Sequence, residues 1–138
     1  MTQIPRYWRE IDERYNLAGT ECGACGHVFF PKRALCPECR HRSVGKLKDK
    51  KFAGKGTIES FTVVHQAPQE YEAESPYVLA IVALDEGPRV TAQVVDLAPA
   101  NVAIGTRVEA RFRRLGAPEN AGVVHYGYKF GPVRLASM

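Results

Sequence analysis

Residues 22–39 read CGACGHVFFPKRALCPEC, and the Cys-x-x-Cys pairs at the two ends of this stretch hold all four cysteines of the 138-residue chain. Each pair can wrap a tight turn that aims two sulfurs at one point. Two such turns joined by a hairpin make a tetrahedral all-sulfur cage, which suits zinc and would also suit a single iron. Cys22, Cys25, Cys36 and Cys39 are therefore the candidate metal ligands. Four thiolates fill a tetrahedral site and leave no position for water or substrate, so the expected metal is a structural Zn2+. Gly23 and Gly26 loosen the first knuckle, Pro37 stiffens the second, and Pro31 bends the VFFPKRAL hairpin between them. The expected unit is a zinc ribbon over residues 21–48, with His27 and His41 as exposed residues beside the knuckles and not ligands.

Paired cysteine spacing points to a reduced compartment and away from disulfides. The start, MTQIPRYWREIDERYNL, has no apolar run of signal-peptide length, and eighteen uncharged apolar residues nowhere follow one another. The reading is a soluble cytoplasmic protein with no membrane partner.

Before the ribbon, residues 1–20 form an expected helical segment. Pro5 stands near the first turn, and Trp8, Ile11 and Tyr15 recur at spacings of three and four on one face. A helix this short is marginal in water, so the stripe must cover either this chain's own core or another protein.

After the ribbon, the Lys- and Gly-rich stretch SVGKLKDKKFAGKGT reads as a connector, placed at 49–55. From residue 56 the texture changes to β-branched and aromatic runs: IESFTVVHQA, YVLAIVALDEG, RVTAQVVDL, TRVEARFRRLG and VVHYGYKFGPVRL. QEYEAESP, DEGP, APANVAIG and GAPENAG separate them as loops and turns. Five such strands fit a small barrel, the OB-fold being the natural five-stranded candidate, over 56–138. In the fourth run, Val108, Ala110 and Phe112 fall on one side and Arg107, Glu109, Arg111 and Arg113 on the other, so Arg111 and Arg113 are expected on a solvated outer face. The fold class is thus mainly β: an N-terminal helix, a four-cysteine rubredoxin-like zinc ribbon and a five-stranded OB-fold barrel.

The run RYWREIDERYNLAGTECGACGHVFFPKRALCPEC, then GKGTIESFTVV, SPYVLAIVALDEGPRV, IGTRVEARF and VVHYGYKFGPV, resembles the acyl-CoA-associated OB-fold family long filed as a domain of unknown function numbered thirty-five. The resemblance covers essentially the whole chain. It implies a noncatalytic partner of thiolase-fold enzymes, joining acetoacetyl-CoA thiolase to hydroxymethylglutaryl-CoA synthase in mevalonate synthesis or supporting acyltransferases and aldolases. In such an assembly the helix and ribbon dock on the enzyme while the barrel helps to enclose a shared CoA or acyl-CoA site.

Candidate partner or CoA contacts are Trp8, Ile11 and Tyr15 on the helix, Lys32 and Arg33 at the ribbon tip, and Tyr126, Tyr128 and Lys129 in HYGYKFG. Lys48, Lys50, Lys51 and Lys55 extend the basic set, although such charge runs are more often simply solvated. Gly127 and Gly131 mark a bulge, a barrel corner or a close approach, and the bland reading is that the neighbouring aromatics fill the barrel.

A different class of function is binding of single-stranded nucleic acid, with Phe61, Tyr126 and Tyr128 as stacking platforms. The charge distribution argues against it. Residues 1–55 carry twelve Lys and Arg against six Asp and Glu, net +6, whereas residues 56–138 carry seven against nine, net −2, so the barrel lacks an evident basic groove. Catalysis by this chain is not expected either. No cysteine is left over as a nucleophile, no serine sits in a recognisable elbow, no Gly-rich phosphate loop is present, and His65 and His125 lack a sequence-visible acidic orienter.

Overall fold

The computed structural model describes residues 4–115 and 124–134. Its N-terminal segment is two short helices, α1 (Ile4–Arg9) and α2 (Ile11–Asn16), where one helix was expected. The break falls at Glu10 (φ −107°, ψ 16°), yet backbone bonding crosses it: the Glu10 N–H donates to the Arg6 carbonyl at 3.1 Å and the Glu10 carbonyl accepts from the Arg14 N–H at 3.0 Å. The Glu10 carboxylate clasps Arg6 Nε at 3.0 Å and Arg14 at 2.7 Å, one turn away on either side. The helix then stops at Leu17, a left-handed residue (φ 49°) whose side chain is buried.

Three antiparallel strands form the ribbon sheet: β1 (Ala18–Cys22), β2 (Val28–Phe29) and β3 (Leu47–Lys51), in the order β2-β1-β3. This corrects two expectations. Ala18–Thr20, read as the end of the helical segment, opens β1, and residues 49–51, read as connector, belong to β3, which pairs with β1 from Ala18↔Lys51 to Cys22↔Leu47. KLKDKK has no apolar face to announce a strand. Its backbone is recruited because β1 would otherwise present an unpaired edge.

The barrel follows in β4 (Lys55–Val64), β5 (Tyr77–Leu84), β6 (Arg89–Val94), β7 (Arg107–Leu115) and β8 (His125–Pro132), closed in the order β4-β5-β6-β8-β7. These are the five expected strands. The turn expected at GAPENAG lies outside the described residues. Part of the expected acidic loop is a short 3-10 helix, Gln69–Glu74. Alternation places Val78, Ala80, Val82 and Leu84 of β5 and Val90, Ala92 and Val94 of β6 inside, with Ile58, Val108 and Phe130. Leu17 and Phe52, which flank the ribbon sheet, join this same core, and Phe30 packs on Phe52 and Tyr128. The ribbon is therefore bolted to the barrel by apolar contact as well as by the chain.

Closure between β6 and β8 is slight: a single parallel register, Val94↔Phe130, with the Val95 N–H donating to the Phe130 carbonyl at 2.7 Å. No helix among the described residues is long and apolar enough to cross a membrane.

Candidate functional site

The metal-binding geometry comes from local backbone. In the first knuckle the Gly26 N–H donates to the Cys22 carbonyl at 2.8 Å, and in the second the Arg40 N–H donates to the Cys36 carbonyl at 2.8 Å. The residue after each second cysteine is left-handed, Gly26 at φ 76° and Arg40 at φ 49°, which turns the chain back beneath the sulfurs. Ser43, fully buried, braces the second knuckle by accepting from the Cys36 N–H at 3.0 Å and donating to the Arg40 carbonyl.

All four Sγ atoms lie within 4.8 Å of one another, and Cys25 Sγ is 3.5 Å from Cys36 Sγ. Four thiolates at about 2.3 Å from a central zinc stand about 3.8 Å apart, so the cage fits that ion. As bare thiols the four are unequal. Backbone N–H groups of Cys25 and Ala24 draw Cys22 down to about 7, while the neighbouring Cys25 thiol and burial push Cys39 up to about 12. A dication at the centre favours the thiolate in all four positions. His27, exposed as expected, has Nδ1 3.2 Å from Cys25 Sγ, placing it beside a ligand.

A second feature assembles from separate parts of the chain. A cleft of about 510 Å3 lies between the helices, the Phe30–Pro31 corner of the ribbon, the 3-10 helix and the outer face of β5, β6 and β8. Arg6, Glu10 and Arg14 line one wall, Tyr71 and Tyr77 another, and Gln93, Tyr128 and Lys129 the barrel side. Lys129 is 5% exposed. Its ammonium donates to Glu74 Oε2 at 2.8 Å, and Gln93 Nε2 donates to the same oxygen at 2.7 Å. Burial works to raise the Glu74 carboxyl, but these two bonds outweigh it and hold the group below its ordinary range. Glu10 is likewise held low by Arg14 and Arg6. Tyr128 is pushed up to about 12 by burial. Of the three cations on the walls, Arg6 and Arg14 share the one Glu10 carboxylate and Lys129 has Glu74.

The third feature is an exposed apolar ridge. Trp8 is 71% exposed, Ile11 and Tyr15 are exposed as well, Tyr15 meets Phe112 edge-on at 5.1 Å, and Phe112 stacks on Tyr126 at 5.4 Å. Phe112, expected inside with Val108 and Ala110, is 52% exposed, because β7 and β8 run on together beyond the barrel wall. Arg111 is the converse correction. Expected in solvent, its side chain is 9% exposed, donating to the Pro132 carbonyl at 2.6 Å and lying by Asp96 and Glu109 over Gly131.

The remaining expected contacts scatter. Of the sequence-derived set, Tyr128 and Lys129 line the cleft and Trp8, Ile11, Tyr15 and Tyr126 form the ridge, while Lys32 is paired with Asp49 at 3.0 Å and Arg33 lies over the Phe29 ring. Lys50 is paired with Glu21. Phe130 and Tyr128 do pack in or against the core, as the bland reading has it. Sequence reasoning passed over Arg6, Glu10 and Arg14, although their i, i+4 spacing is visible in RYWREIDER. It had no means of finding Glu74 and Gln93, which meet Lys129 only in the fold.

Two family models match the chain: the ChsH2 rubredoxin-like zinc ribbon domain over residues 9–45, and the ChsH2 C-terminal OB-fold domain over residues 49–113. A DUF35 domain-containing scaffold protein of Methanothermobacter thermautotrophicus is 49% identical over 96% of this chain and 98% of its own length. A probable enoyl-CoA hydratase alpha subunit of Thermomonospora curvata is 32% identical over 74% of this chain and 31% of its own length. Among solved structures, a chain of the Ltp2-ChsH2(DUF35) aldolase superposes with a TM-score of 0.66 at 25% identity, covering 96% of both chains. The four-thiol ribbon, the closed barrel and near full-length identity to a scaffold protein agree, and the chain belongs to the family of DUF35 domain-containing scaffold proteins.

Proposed function

We propose that this protein is a noncatalytic cytoplasmic adaptor that seats on a thiolase-fold acyl-CoA enzyme and joins acetoacetyl-CoA thiolase to hydroxymethylglutaryl-CoA synthase. The carrying observation is the set Trp8, Ile11, Tyr15, Phe112 and Tyr126: five large apolar side chains partly or largely exposed, three of them, Tyr15, Phe112 and Tyr126, in mutual contact. A contiguous aromatic surface of this kind is characteristic of protein–protein docking, and aromatic anchors dominate the energy of such interfaces. The scaffold name of the full-length relative, and the aldolase and hydratase names of others, support a partner that does acyl-CoA chemistry.

Zinc here fixes the ribbon, which joins the helices at Leu17 and the barrel through the Phe30–Phe52 contact. The barrel and the cleft beside it stand next to the docking face and help to enclose the CoA of the bound enzymes. Joining the two enzymes draws an unfavourable first condensation forward by direct handover to the second.

Of the three stacking platforms that nucleic-acid binding would use, Tyr126 alone is exposed, and it is stacked on Phe112. Phe61 packs against the core, Tyr128 is largely enclosed, and the cations of the barrel that approach acids are paired.

The test is a pull-down from the native host with wild-type and Phe112→Ser protein as bait, followed by assay of the eluate for acetoacetyl-CoA formation. Wild-type bait should recover both enzymes in fixed proportion, and the variant, folded and zinc-loaded, should lose at least one. Equal recovery by both baits would remove the ridge from the interface. Recovery of neither enzyme would sink the reading.

A further inference from the structure

The ion pairs are unevenly distributed. On the barrel Arg89, Arg107, Arg113 and Lys129 pair with Glu59, Asp85, Asp96 and Glu74, and on the ribbon sheet Lys32 and Lys50 pair with Asp49 and Glu21. The second knuckle differs. Arg40, Arg42, Lys46 and Lys48 are exposed and make no ion pair among the described residues, and Glu38 is the one acid between residues 33 and 48.

Two aliphatic side chains stand among these cations. Leu35 is 50% exposed and Val44 66% exposed, and they flank the residues joined by the hydrogen bond from the Cys36 N–H to Ser43 Oγ. Cys36 and Cys39, set within the zinc cage, and buried Ser43 hold this surface rigid, so little ordering entropy is lost when something binds it.

We propose that the second knuckle, built on Leu35, Arg40, Arg42, Val44 and Lys46, is a second docking surface that takes the acidic face of a protein: a small apolar contact ringed by carboxylates. Charge complementarity names the sign of the partner. The aliphatic pair favours a protein over a nucleic acid, since single-stranded nucleic acid is bound through aromatic platforms and Ala34–Lys48 contains no Phe, Tyr or Trp. This surface shares no residue with the aromatic ridge. The inference rests on the adaptor reading, because an adaptor joining two enzymes needs two faces, and the two differ in chemistry: one aromatic, one cationic.

The assembly isolated from the host at low salt provides the test. Lys46 is pulse-acetylated in the assembly and in the isolated protein, and a parallel sample is treated with carbodiimide, which links an amine to a carboxylate in contact with it. The expected result is at least a tenfold fall in Lys46 acetylation within the assembly, a Lys46 crosslink to an Asp or Glu of a partner protein, and insensitivity of both to nuclease. An Arg42→Glu, Lys46→Glu variant with unchanged zinc content should retain that partner at least tenfold less well, and wild-type retention should weaken as salt rises.

Full acetylation of Lys46 inside an intact assembly would overturn the proposal and leave the adaptor reading standing. Protection abolished by nuclease would also overturn it, assigning the surface to nucleic acid. Absence of any assembly would overturn the adaptor reading and this inference together.

Discussion

Lys129 extends from β8 to Glu74 of the 3-10 helix, Nζ to Oε2 at 2.8 Å, with the lysine side chain 6% exposed and the glutamate 30%. The two partners are therefore not equivalent. Removing the carboxylate strands a buried ammonium, whereas removing the ammonium leaves a carboxylate that can still turn to water. Glu74→Ala should cost about 2–3 kcal/mol and Lys129→Met no more than about 1 kcal/mol by denaturant unfolding. Because the folded Glu74 carboxyl lies below its ordinary value of 4.5, the folded state holds fewer protons than the unfolded chain as pH falls below that value. Its contribution is complete above about 4.5 and is lost as the pH drops through the folded value. Glu74→Gln should flatten the stability curve in that window, and an unchanged slope would show the pair to be idle.

The helices hang on little. None of the α2 residues is buried, and Leu17, the next residue, is the first to enter the core. What holds them is aromatic contact: His125 lies 4.0 Å from the Tyr7 ring, the Arg14 guanidinium 4.2 Å from the same ring, and Tyr15 meets Phe112 edge-on at 5.1 Å. Few buried apolar contacts place a segment at the low end of local stability. Tyr7→Ala should raise amide exchange over residues 5–16 by roughly tenfold, the loss of one aromatic pair, while barrel amides hold. Trp8, the single tryptophan of the chain, reports the same event by lower fluorescence anisotropy. Equal exchange in both proteins would mean that the helices are held elsewhere.

The parts of the fold that were legible in the sequence are those in which chemistry repeats locally. Cys-x-x-Cys spacing fixes the cage because each pair spans one turn, and alternation marks the barrel strands because each inward residue is apolar. β3 was not legible: after Leu47 every residue of LKDKK is charged, and only pairing with β1 makes it a strand. Alternation assigned Arg111 and Phe112 to their correct faces but not their burial. Asp96, Glu109 and Pro132 cover one, and the overhang of β7 and β8 uncovers the other. The cleft was illegible for a plainer reason, since helix, ribbon corner, 3-10 helix and β8 meet there only after folding.

Cys36 is buried at the junction of the cage and the Ser43 brace. Cys36→Ser should release the zinc, and chelation of the wild type should have the same effect, more readily at low pH where protons compete for thiolates. The knuckles at 22–26 and 36–43 then lose amide protection. The barrel should keep its own, because only Leu17, Val28, Phe30 and Phe52 of the ribbon side pack in or against its core. Hydrogen exchange with metal analysis checks both halves, and simultaneous loss of barrel protection would mean that zinc holds the whole fold.

Two ribbon glycines separate space from backbone conformation. A Cβ on Gly19 would overlap the Phe29 carbonyl oxygen and lie 2.7 Å from the Phe52 ring, in β1, where neither neighbour is free to move. At Gly26 a Cβ meets nothing within 4 Å, but φ is +76°. Gly26→Ala therefore carries only the left-handed penalty of about 1–2 kcal/mol. Gly19→Ala must push β1 off β2 or Phe52 out of the shared core, at about 3 kcal/mol or more. Thermal unfolding of the zinc-loaded variants should rank Gly19→Ala well below Gly26→Ala. The reverse order would show that the strain at the first knuckle, and not the close packing of β1 on Phe52, limits how tightly the ribbon is joined to the barrel.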